Sequence, residues 1–500
     1  MLRPVDTEIQ TSFTGAEPGI SCPAGVVSAL ADAAHAAGAE VAASSAHDTR
    51  QVEAANLRRG RLSYEVLKLA GPAIAEQLLI TGSQMAALIV IGPLGADSIA
   101  AVGVSNQINW FFQSGYFAFG TGTTTLVARL TGAGEPHLAE SVVKQAVSVA
   151  IVLSLFVSGT GIVLAPAILS LMGATPEVLA PATAYLRLSF VSAIFASVNM
   201  CFSAALRGAG DTRTPLKVQA ACSAVTVAII SVLVYGRFGL PALGVAGAGI
   251  ALILAAAVTT LAYLVIFISG RFVVRLAPPL TFGLDMKMVR RLLSVGVPSA
   301  LEQLLMTGGM TVFAGLVMSL GTVAYASHQI AMNITSLSFM TSFGFAVAST
   351  ALVGRSLGAG EPQLAEAYAL ATSRIGVGTI TVLSAMFFFF GRNLMTVYTD
   401  DLEIIAIGAM ILRFAAFAQP PMSNYAILAG ALRGAGDTRY PLYITFAGVW
   451  TMRLGVASIL VRFYDMGLPG VWIAINFDQI VRTILVWLRF RTGRWKGIAI

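Results

Sequence analysis

Long apolar segments separated by short polar stretches make up most of the chain after residue 60. Such segments, at about 20 residues or more, are long enough to cross a bilayer as helices, and the bilayer interior requires every backbone group to be paired within the segment. The pattern predicts an all-α membrane protein with twelve transmembrane helices. The segments lie near 69–92, 99–125, 142–165, 179–204, 215–236, 244–269, 293–318, 325–351, 367–390, 403–430, 441–462 and 468–488.

The composition supports a membrane protein and excludes several other classes. The 500 residues are 56% hydrophobic and only 11% charged, whereas a soluble chain carries about 25% charged residues. Three scattered cysteines do not form a disulfide framework or a zinc site, so we expect no cofactor. The net charge of +7 comes from basic residues at the segment ends, which indicates membrane topology and predicts no nucleic-acid partner.

The second half of the chain repeats the first at a constant offset of 226 residues. ALRGAGDTRTPL at 205–216 returns as ALRGAGDTRYPL at 431–442, and GAGEPHLAE at 132–140 returns as GAGEPQLAE at 358–366. Each half contains six segments, so both enter the membrane from the same side. The repeat is therefore predicted to be parallel, with an axis along the membrane normal and a central substrate cavity between the two lobes.

The repeat divides the chain into five predicted parts, and the arginines and lysines orient them. We expect both termini in the cytoplasm of a cell with an inner membrane, because the basic segment ends share one side. Residues 1–60 are acidic and rich in alanine, which predicts a disordered tail, with a surface helix near 26–43 as the alternative. The parts are the tail 1–60, the N-lobe 61–270, a linker 271–291, the C-lobe 292–490 and a second tail 491–500.

The repeated ALRGAGDTR motif is predicted to be a tight, positively charged turn after the fourth helix of each half. Its glycines allow a positive φ and helix termination, and its aspartate can cap the next helix. The alternative is a gate or a lobe–lobe contact, and we expect no substrate there. The motif residues are Arg207, Gly208, Gly210, Asp211, Arg433, Gly434, Gly436 and Asp437.

With its paired ALRGAGDTR loops, its GAGEP loops and its VRTILVWLRFRTGRWK ending, the sequence resembles the multidrug and toxic compound extrusion (MATE) transporters over about residues 61–496. The resemblance implies a twelve-helix antiporter that exports mostly cationic, amphipathic compounds in exchange for H⁺ or Na⁺. Many bacterial members carry an aspartate in helix 1 where this chain has Ala87, so coupling through that aspartate is not expected.

Two glutamates inside predicted spans are the first candidates for ion coupling, because a charge at the bilayer centre costs about 2.5–3.5 kcal/mol. Glu302 is the first choice and Glu76 the second. A carboxyl group taken out of water favours its protonated form, so a bound organic cation and a proton would exclude each other there. The competing interpretation is that both glutamates are structural. The neighbouring residues in the hypothesis are Gln77 and Gln303 as hydrogen-bond donors and Pro72 and Pro298 as hinges.

Polar and aromatic residues in helix 2, methionines in helix 7 and an arginine in helix 11 are candidates for lining the cavity. Aromatic rings and methionines suit a promiscuous pocket for flat cations, although they also suit lipid-facing packing. In helix 12, Asp478 and Arg482 are four residues apart and predict a local ion pair. The cavity candidates are Asn106, Gln107, Asn109, Trp110, Gln113, Tyr116, Met306, Met310 and Arg453.

Other functions are less well supported by the sequence. A lipid-linked precursor flippase of a related two-lobed fold would need several deep arginines in its cavity, whereas the deep pair here is acidic. An enzyme is not expected, because no catalytic or nucleotide-binding motif occurs in a suitable context. The sequence therefore predicts a monomeric transporter whose partners are small organic cations and membrane lipids.

Overall fold

A computed structural model describes residues 60–173, 175–236, 239, 241–270, 283, 285–498 and 500. The predicted tail, except Gly60, and the alternative helix near 26–43 lie outside these residues, as do residues 271–282 and 284 of the predicted linker. Residues Leu62–Ile500 form one compact unit.

The described part of the chain contains twelve long helices, as predicted. Eleven are long and apolar enough to cross a membrane, and α2 is the exception because polar residues interrupt its first half. The helices are α1 Gly60–Leu94, α2 Ala96–Gly132, α3 Pro136–Leu171, α4 Pro176–Gly208, α5 Arg213–Tyr235, α6 Gly244–Ile268, α7 Met286–Met318, α8 Thr322–Gly358, α9 Pro362–Thr396, α10 Leu402–Gly434, α11 Arg439–Arg462 and α12 Gly467–Arg491.

Local sequence explains where several helices begin. Proline is the first residue of α3, α4 and α9, a position that needs no N–H group. Asp285 and Asp401 cap α7 and α10, and each carboxylate accepts hydrogen bonds from two backbone N–H groups. These caps satisfy donors that the first helical turn leaves free.

The repeat is visible in the helix bounds. The helices α2 and α8 have 37 residues each, and α4 and α10 have 33 each. The pair α5 and α11 differs, because α11 contains a π-helical segment at Phe446–Arg453 where α5 is regular. The helices α2, α4, α8, α10 and α12 all end on one side of the bundle, which we call the basic side because each last turn carries an arginine.

Near the basic side, α1 and α7 pack against the opposite half of the molecule. Leu69 and Ala70 of α1 join a buried cluster with Phe345 of α8 and Ile427 of α10. Conversely, Leu292 of α7 belongs to a cluster formed otherwise mainly by α2, α3, α4 and α6. The first helix of each repeat thus ties the two lobes together at this end.

Candidate functional site

Glu76 lies in α1 and is buried, with only 4% of its surface exposed. Arg207 Nη1 is 3.2 Å from Glu76 Oε1 and 3.3 Å from Oε2, and the Ser203 hydroxyl donates to Oε1 at 3.2 Å. Both partners are in α4. The interaction therefore holds α1 to its own lobe just beyond the point where α1 packs against the other one.

Glu302 occupies the equivalent position in α7 and has more partners. Arg433 donates through Nη2 to Oε1 at 2.7 Å and through Nε to Oε2 at 3.3 Å. The hydroxyl groups of Tyr425 and Thr445 lie 3.1 and 3.2 Å from Oε1. Three helices, α7, α10 and α11, therefore meet at this carboxylate.

These contacts correct the prediction that the motif arginines belong to a loop. Arg207 and Arg433 lie in the last turns of α4 and α10, and their side chains are mostly buried against the glutamates. They also correct the hypothesis that an incoming organic cation supplies the positive charge next to each glutamate, because each carboxylate already has an arginine partner. A buried ion pair of this kind is neutral as a whole, and breaking it by removing one partner is costly.

The glycines and aspartates of the motif have two different roles. Gly210 and Gly436 adopt positive φ values of 88° and 86°, which confirms the predicted turn. Gly208 and Gly434 end their helices, as predicted, but have no positive φ, so that part of the prediction was wrong. A Cβ atom on them would lie 2.7 Å from Thr124 O and 2.3 Å from Thr350 O, respectively, so these two glycines allow close helix packing.

The two motif aspartates also differ. Asp211 Oδ1 accepts from the backbone N–H groups of Arg213 and Thr214 at 3.0 Å each, as predicted for a cap on α5. Asp437 forms an ion pair with Arg489 of α12 at 2.8 Å. The same motif therefore caps a helix in one lobe and binds the last helix in the other.

The lobes meet at the basic side through the motif loops. Arg129 Nη2 donates to Ala435 O and to Ile498 O, both at 2.9 Å. In the mirrored contact, a Cβ atom on Gly210 would lie 2.4 Å from Arg355 Nη1. Arg129 and Arg355 are repeat equivalents, so each lobe extends an arginine from its second helix to the motif loop of the other. This geometry matches the predicted alternative of a lobe–lobe contact.

Glycines bring the helix backbones together at the same interface. A Cβ atom on Gly132 would lie 2.0 Å from Arg355 O, and one on Gly358 would lie 2.0 Å from Arg129 O. No side chain larger than a hydrogen atom fits at either position without movement of the backbone. The lobes are therefore in direct contact on the basic side.

A small cavity of about 60 Å³ lies between the lobes and is lined by residues of both. Arg207, Arg433 and the repeat pair Phe117 and Phe343 contribute to its wall, and the two phenylalanine rings are 6.3 Å apart. Its size fits a few water molecules and excludes an organic substrate. It lies beside both glutamate–arginine pairs, because both arginines line it.

Away from the basic side, the buried clusters of the described residues each contain residues of one lobe only. Ser114 of α2 is 3.2 Å from Thr307 of α7, and the same face of α2 continues, four and seven residues earlier, to Trp110 and Gln107. Both are exposed, Trp110 to 50%. From this exposure and the single-lobe clusters we infer a cleft between the lobes on this side.

The matching face of α8 is the one that carries Phe343, a lining residue of the small cavity, and we infer that it forms the other wall of the cleft. Phe339, Asn333 and Gln329 precede Phe343 by four, ten and fourteen residues and are all exposed. The cleft face is therefore aromatic and polar but uncharged on the described parts of α2 and α8 that form it. The sequence-based candidates on these two helices came from α2 and none from α8, which has fewer amide side chains; substrate binding by the α2 residues stays a prediction.

The remaining cavity candidates lie elsewhere. Asn106 and Gln113 are exposed at the edges of the cleft-facing side, whereas Asn109 points to the opposite face of α2. Tyr116, on that opposite face, is buried in the core of the N-lobe, and Arg453 is buried and paired with Asp478 at 2.6 Å. The prediction that Tyr116 and Arg453 line a cavity was therefore wrong, because both complete the interior of their own lobes.

The methionines and glutamines of the hypothesis lie near the buried pairs. The Met310 sulfur is 3.1 Å from Arg453 Nη1, and the Met306 sulfur is 3.8 Å from Arg482 Nη1, so these methionines cover buried arginines. Gln77 and Gln303 are half-buried, and neither hydrogen-bonds its neighbouring glutamate among the described contacts. The roles of Gln77 and Gln303, and of Pro72 and Pro298 as hinges, stay predictions.

Sequence reasoning missed the other groups that hold the carboxylates, namely Ser203, Tyr425 and Thr445. A signal for two of them was present, since the N-lobe has Asn199 and Gln219 where the C-lobe has Tyr425 and Thr445. A difference inside an otherwise repeated segment marks a position where the two lobes do different things.

Comparison with known proteins agrees with this geometry. A family model described as MatE matches residues 72–233 and, again, residues 298–459, one match in each lobe. The chain belongs to the MatE family. MatE proteins are a transporter family, so the chain is a membrane transporter and not an enzyme.

Relatives and solved structures cover most of the chain. The probable multidrug resistance protein NorM of Thermotoga maritima is 34% identical over 87% of this chain and 94% of its own length. The multidrug resistance protein MdtK of Yersinia pseudotuberculosis is 30% identical over 85% of this chain and 94% of its own. A solved outward-facing multidrug resistance MATE transporter has a TM-score of 0.81 at 23% identity, covering 87% of this chain and 97% of its own. That similarity shows the shared fold.

The cleft can be checked by chemical labelling. In a variant without native cysteines, Gln107→Cys and Asn333→Cys should react with a membrane-impermeant maleimide added from the side opposite the basic side. Ser105→Cys is the matched control, because Ser105 is only two residues from Gln107 on α2 but is fully buried. Equal protection of all three cysteines would mean that the lobes are closed on this side.

Proposed function

We propose that the protein is a secondary active multidrug efflux antiporter, which exports amphipathic and mostly cationic organic compounds in exchange for H⁺, with Na⁺ as the alternative ion. The observation that carries the proposal is a cleft that is closed on the basic side and open on the other, with a buried glutamate–arginine pair in each lobe. The names of the NorM and MdtK relatives support the substrate range. We further propose that the basic side is cytoplasmic, in a bacterial inner membrane.

In this proposal the cleft binds substrate through uncharged groups. Trp110 and Phe339 offer flat apolar surfaces, and an aromatic face attracts a cation. Gln107, Gln329 and Asn333 offer amide groups that hydrogen-bond many partners. Such a surface binds many amphipathic compounds weakly, as a multidrug transporter requires.

The proton acts at the buried pair. Protonation of Glu302 neutralises its carboxylate and weakens its hold on Arg433, which frees α7 from α10. The basic-side half of α7 packs against the N-lobe, so this release alters how one lobe is held against the other. The arginine contacts at Arg129 and Arg355 must then open for the cleft to face the cytoplasm. Proton binding and the direction of the cleft are coupled in this way.

The flippase alternative is not favoured by the buried charges. Several arginines of the described residues are buried or mostly buried, as a site for pyrophosphate would need, but each of Arg207, Arg433, Arg453, Arg482 and Arg489 forms an ion pair with an acid. A pyrophosphate group would have to compete with these carboxylates.

Counterflow in proteoliposomes tests the proposal. Vesicles loaded with a fluorescent organic cation should lose it when a pH gradient is imposed, and loss under a sodium gradient alone should be much smaller. The controls are vesicles without the protein and vesicles in which the ion gradients have been collapsed. Equal, gradient-independent release under all conditions would argue for passive leakage and against an antiporter.

A further inference from the structure

A second charged cluster lies buried in the C-lobe, away from the cleft. Asp478 of α12 binds Arg453 of α11 at 2.6 Å and Arg482 of its own helix at 2.8 Å. The three side chains are at most 2% exposed. Both arginines use Asp478 Oδ2, and Oδ1 has no hydrogen-bond partner among the described residues. With all three groups ionised, the cluster carries a net charge of +1.

The backbone of α11 is shaped around this cluster. The π-helical segment of α11 includes Gly448, where a Cβ atom would lie 2.4 Å from Asp478 Oδ1 and 2.5 Å from Arg482 Cδ. Only glycine leaves room for these charged side chains. Single π-helical turns inside α-helices occur frequently at functional sites.

The cluster is connected to Glu302 through Tyr425. The Arg482 guanidinium lies over the Tyr425 ring, 5.0 Å from its centre, and the Tyr425 hydroxyl contacts Glu302 Oε1 and lies 2.7 Å from Thr445 Oγ1. Met306 and Met310, one and two turns after Glu302 in α7, touch the two arginines. A movement of Arg482 would therefore reach the partners of Glu302.

The N-lobe has no counterpart of this cluster. At the positions that correspond to Arg453, Asp478 and Arg482, it has Val227, Leu252 and Ala256. The repeat nevertheless keeps the glutamate and its arginine in both lobes. Burying three charges is expensive compared with apolar packing, so their presence in one lobe only indicates a task that the other lobe lacks.

We propose that the Arg453–Asp478–Arg482 cluster is the positioning element of the C-lobe ion site, with Asp478 fixing Arg482 against Tyr425 and Tyr425 against Glu302. The cluster thereby influences proton binding at Glu302. This inference rests on the proposed function, in which Glu302 binds the coupling proton.

The sign of the electrostatic effect follows from the charges around Glu302. Four side chains face Glu302 from α10, α11 and α12, namely Arg433, Tyr425, Thr445 and Arg482. Asp478 and Arg453 lie behind them. His328 packs near Arg453, against Phe313 and Trp472. Asp478→Asn raises the net charge of the cluster to +2, which favours ionised Glu302. Replacing all three residues by the N-lobe set, R453V/D478L/R482A, lowers the net charge to 0 and has the opposite effect.

The test measures the pH at which exchange is half-maximal in proteoliposomes for the wild type, D478N and the triple variant. We expect the half-maximal pH to move to more acidic values in D478N and to more alkaline values in the triple variant. Each shift should be about one pH unit, which is about tenfold in proton concentration. The triple variant also guards against misfolding, because it leaves no unpaired buried charge. Glu177→Gln, an exposed carboxylate in the first turn of α4, is the matched control and should leave the profile in place.

A second measurement separates this inference from the proposed function. The infrared band of a protonated carboxyl group that disappears in E302Q can be followed against pH in purified protein, without any transport. Opposite shifts of this band in D478N and the triple variant would support the positioning role. If wild-type vesicles showed no exchange, only the antiporter proposal would be overturned. Folded variants with unmoved bands and profiles would overturn the positioning role.

Discussion

Glu302→Gln will reduce exchange driven by a pH gradient to the background of empty vesicles. The glutamine keeps the shape of the side chain but cannot bind and release a proton, and it removes the negative charge that Arg433 contacts at 2.7 Å. The measurement is drug-stimulated proton movement in proteoliposomes, with Glu403→Gln, an exposed carboxylate at the start of α10, as the matched control. Exchange at the wild-type rate in folded E302Q would refute coupling at this residue.

Loss of folding must be separated from loss of coupling in that experiment. Leaving a buried arginine unpaired costs about 3–5 kcal/mol, so E302Q is expected to melt at a lower temperature. The double variant E302Q/R433M removes both charges and should recover much of the stability without recovering exchange. Glu76→Gln should slow exchange but keep its pH dependence, because the proposed mechanism places the coupling proton at Glu302.

Gly132→Ala combined with Gly358→Ala will prevent the lobes from closing on the basic side and will stop transport. Each added methyl group would lie 2.0 Å from a backbone carbonyl oxygen of the opposite lobe, and backbone atoms cannot turn aside as a flexible side chain can. Overpacking of this kind costs about 1–3 kcal/mol per site. The clash destabilises only the state in which the lobes touch on the basic side. The population therefore shifts towards the state that is open on the basic side.

Labelling of a cysteine at position 121 measures this change in population, because Thr121 lines the small cavity between the lobes. In the double glycine variant, Thr121→Cys should react with a maleimide added from the basic side, and in the wild-type background it should stay protected. Gly378→Ala in α9 is the control, because nothing lies within 4 Å of its added Cβ atom. Protected cysteine together with normal transport in the double variant would show that this contact is not a gate.

The two glutamate–arginine pairs explain why the repeated motif is conserved between the two halves of this chain. Its arginine reaches into the lobe to hold the first helix. The glycine that ends its helix lets two helices of the same lobe pack closely, and its loop receives an arginine from the other lobe. One short segment thus connects the buried acid with the contact at the basic side. A proton at Glu302 can act on the lobe interface through a few residues.

The sequence by itself determined the class of protein, the number of helices and the repeat. These follow from local properties: a span needs about 20 apolar residues, and two gapless copies at one offset require two similar lobes. It also identified Glu76 and Glu302, because an acid in an apolar span is conspicuous.

Only the tertiary structure decided what surrounds those acids. Arg207 and Arg433 follow their glutamates by 131 residues, and no periodicity along the chain reveals a contact between helices that distant. The crossing of α1 and α7 to the opposite lobe, the cleft face of α8 and the link from Asp478 to Glu302 likewise depend on how helices pack. Hydrophobic pattern fixes which segments enter the membrane, whereas side-chain packing between helices fixes which polar groups meet.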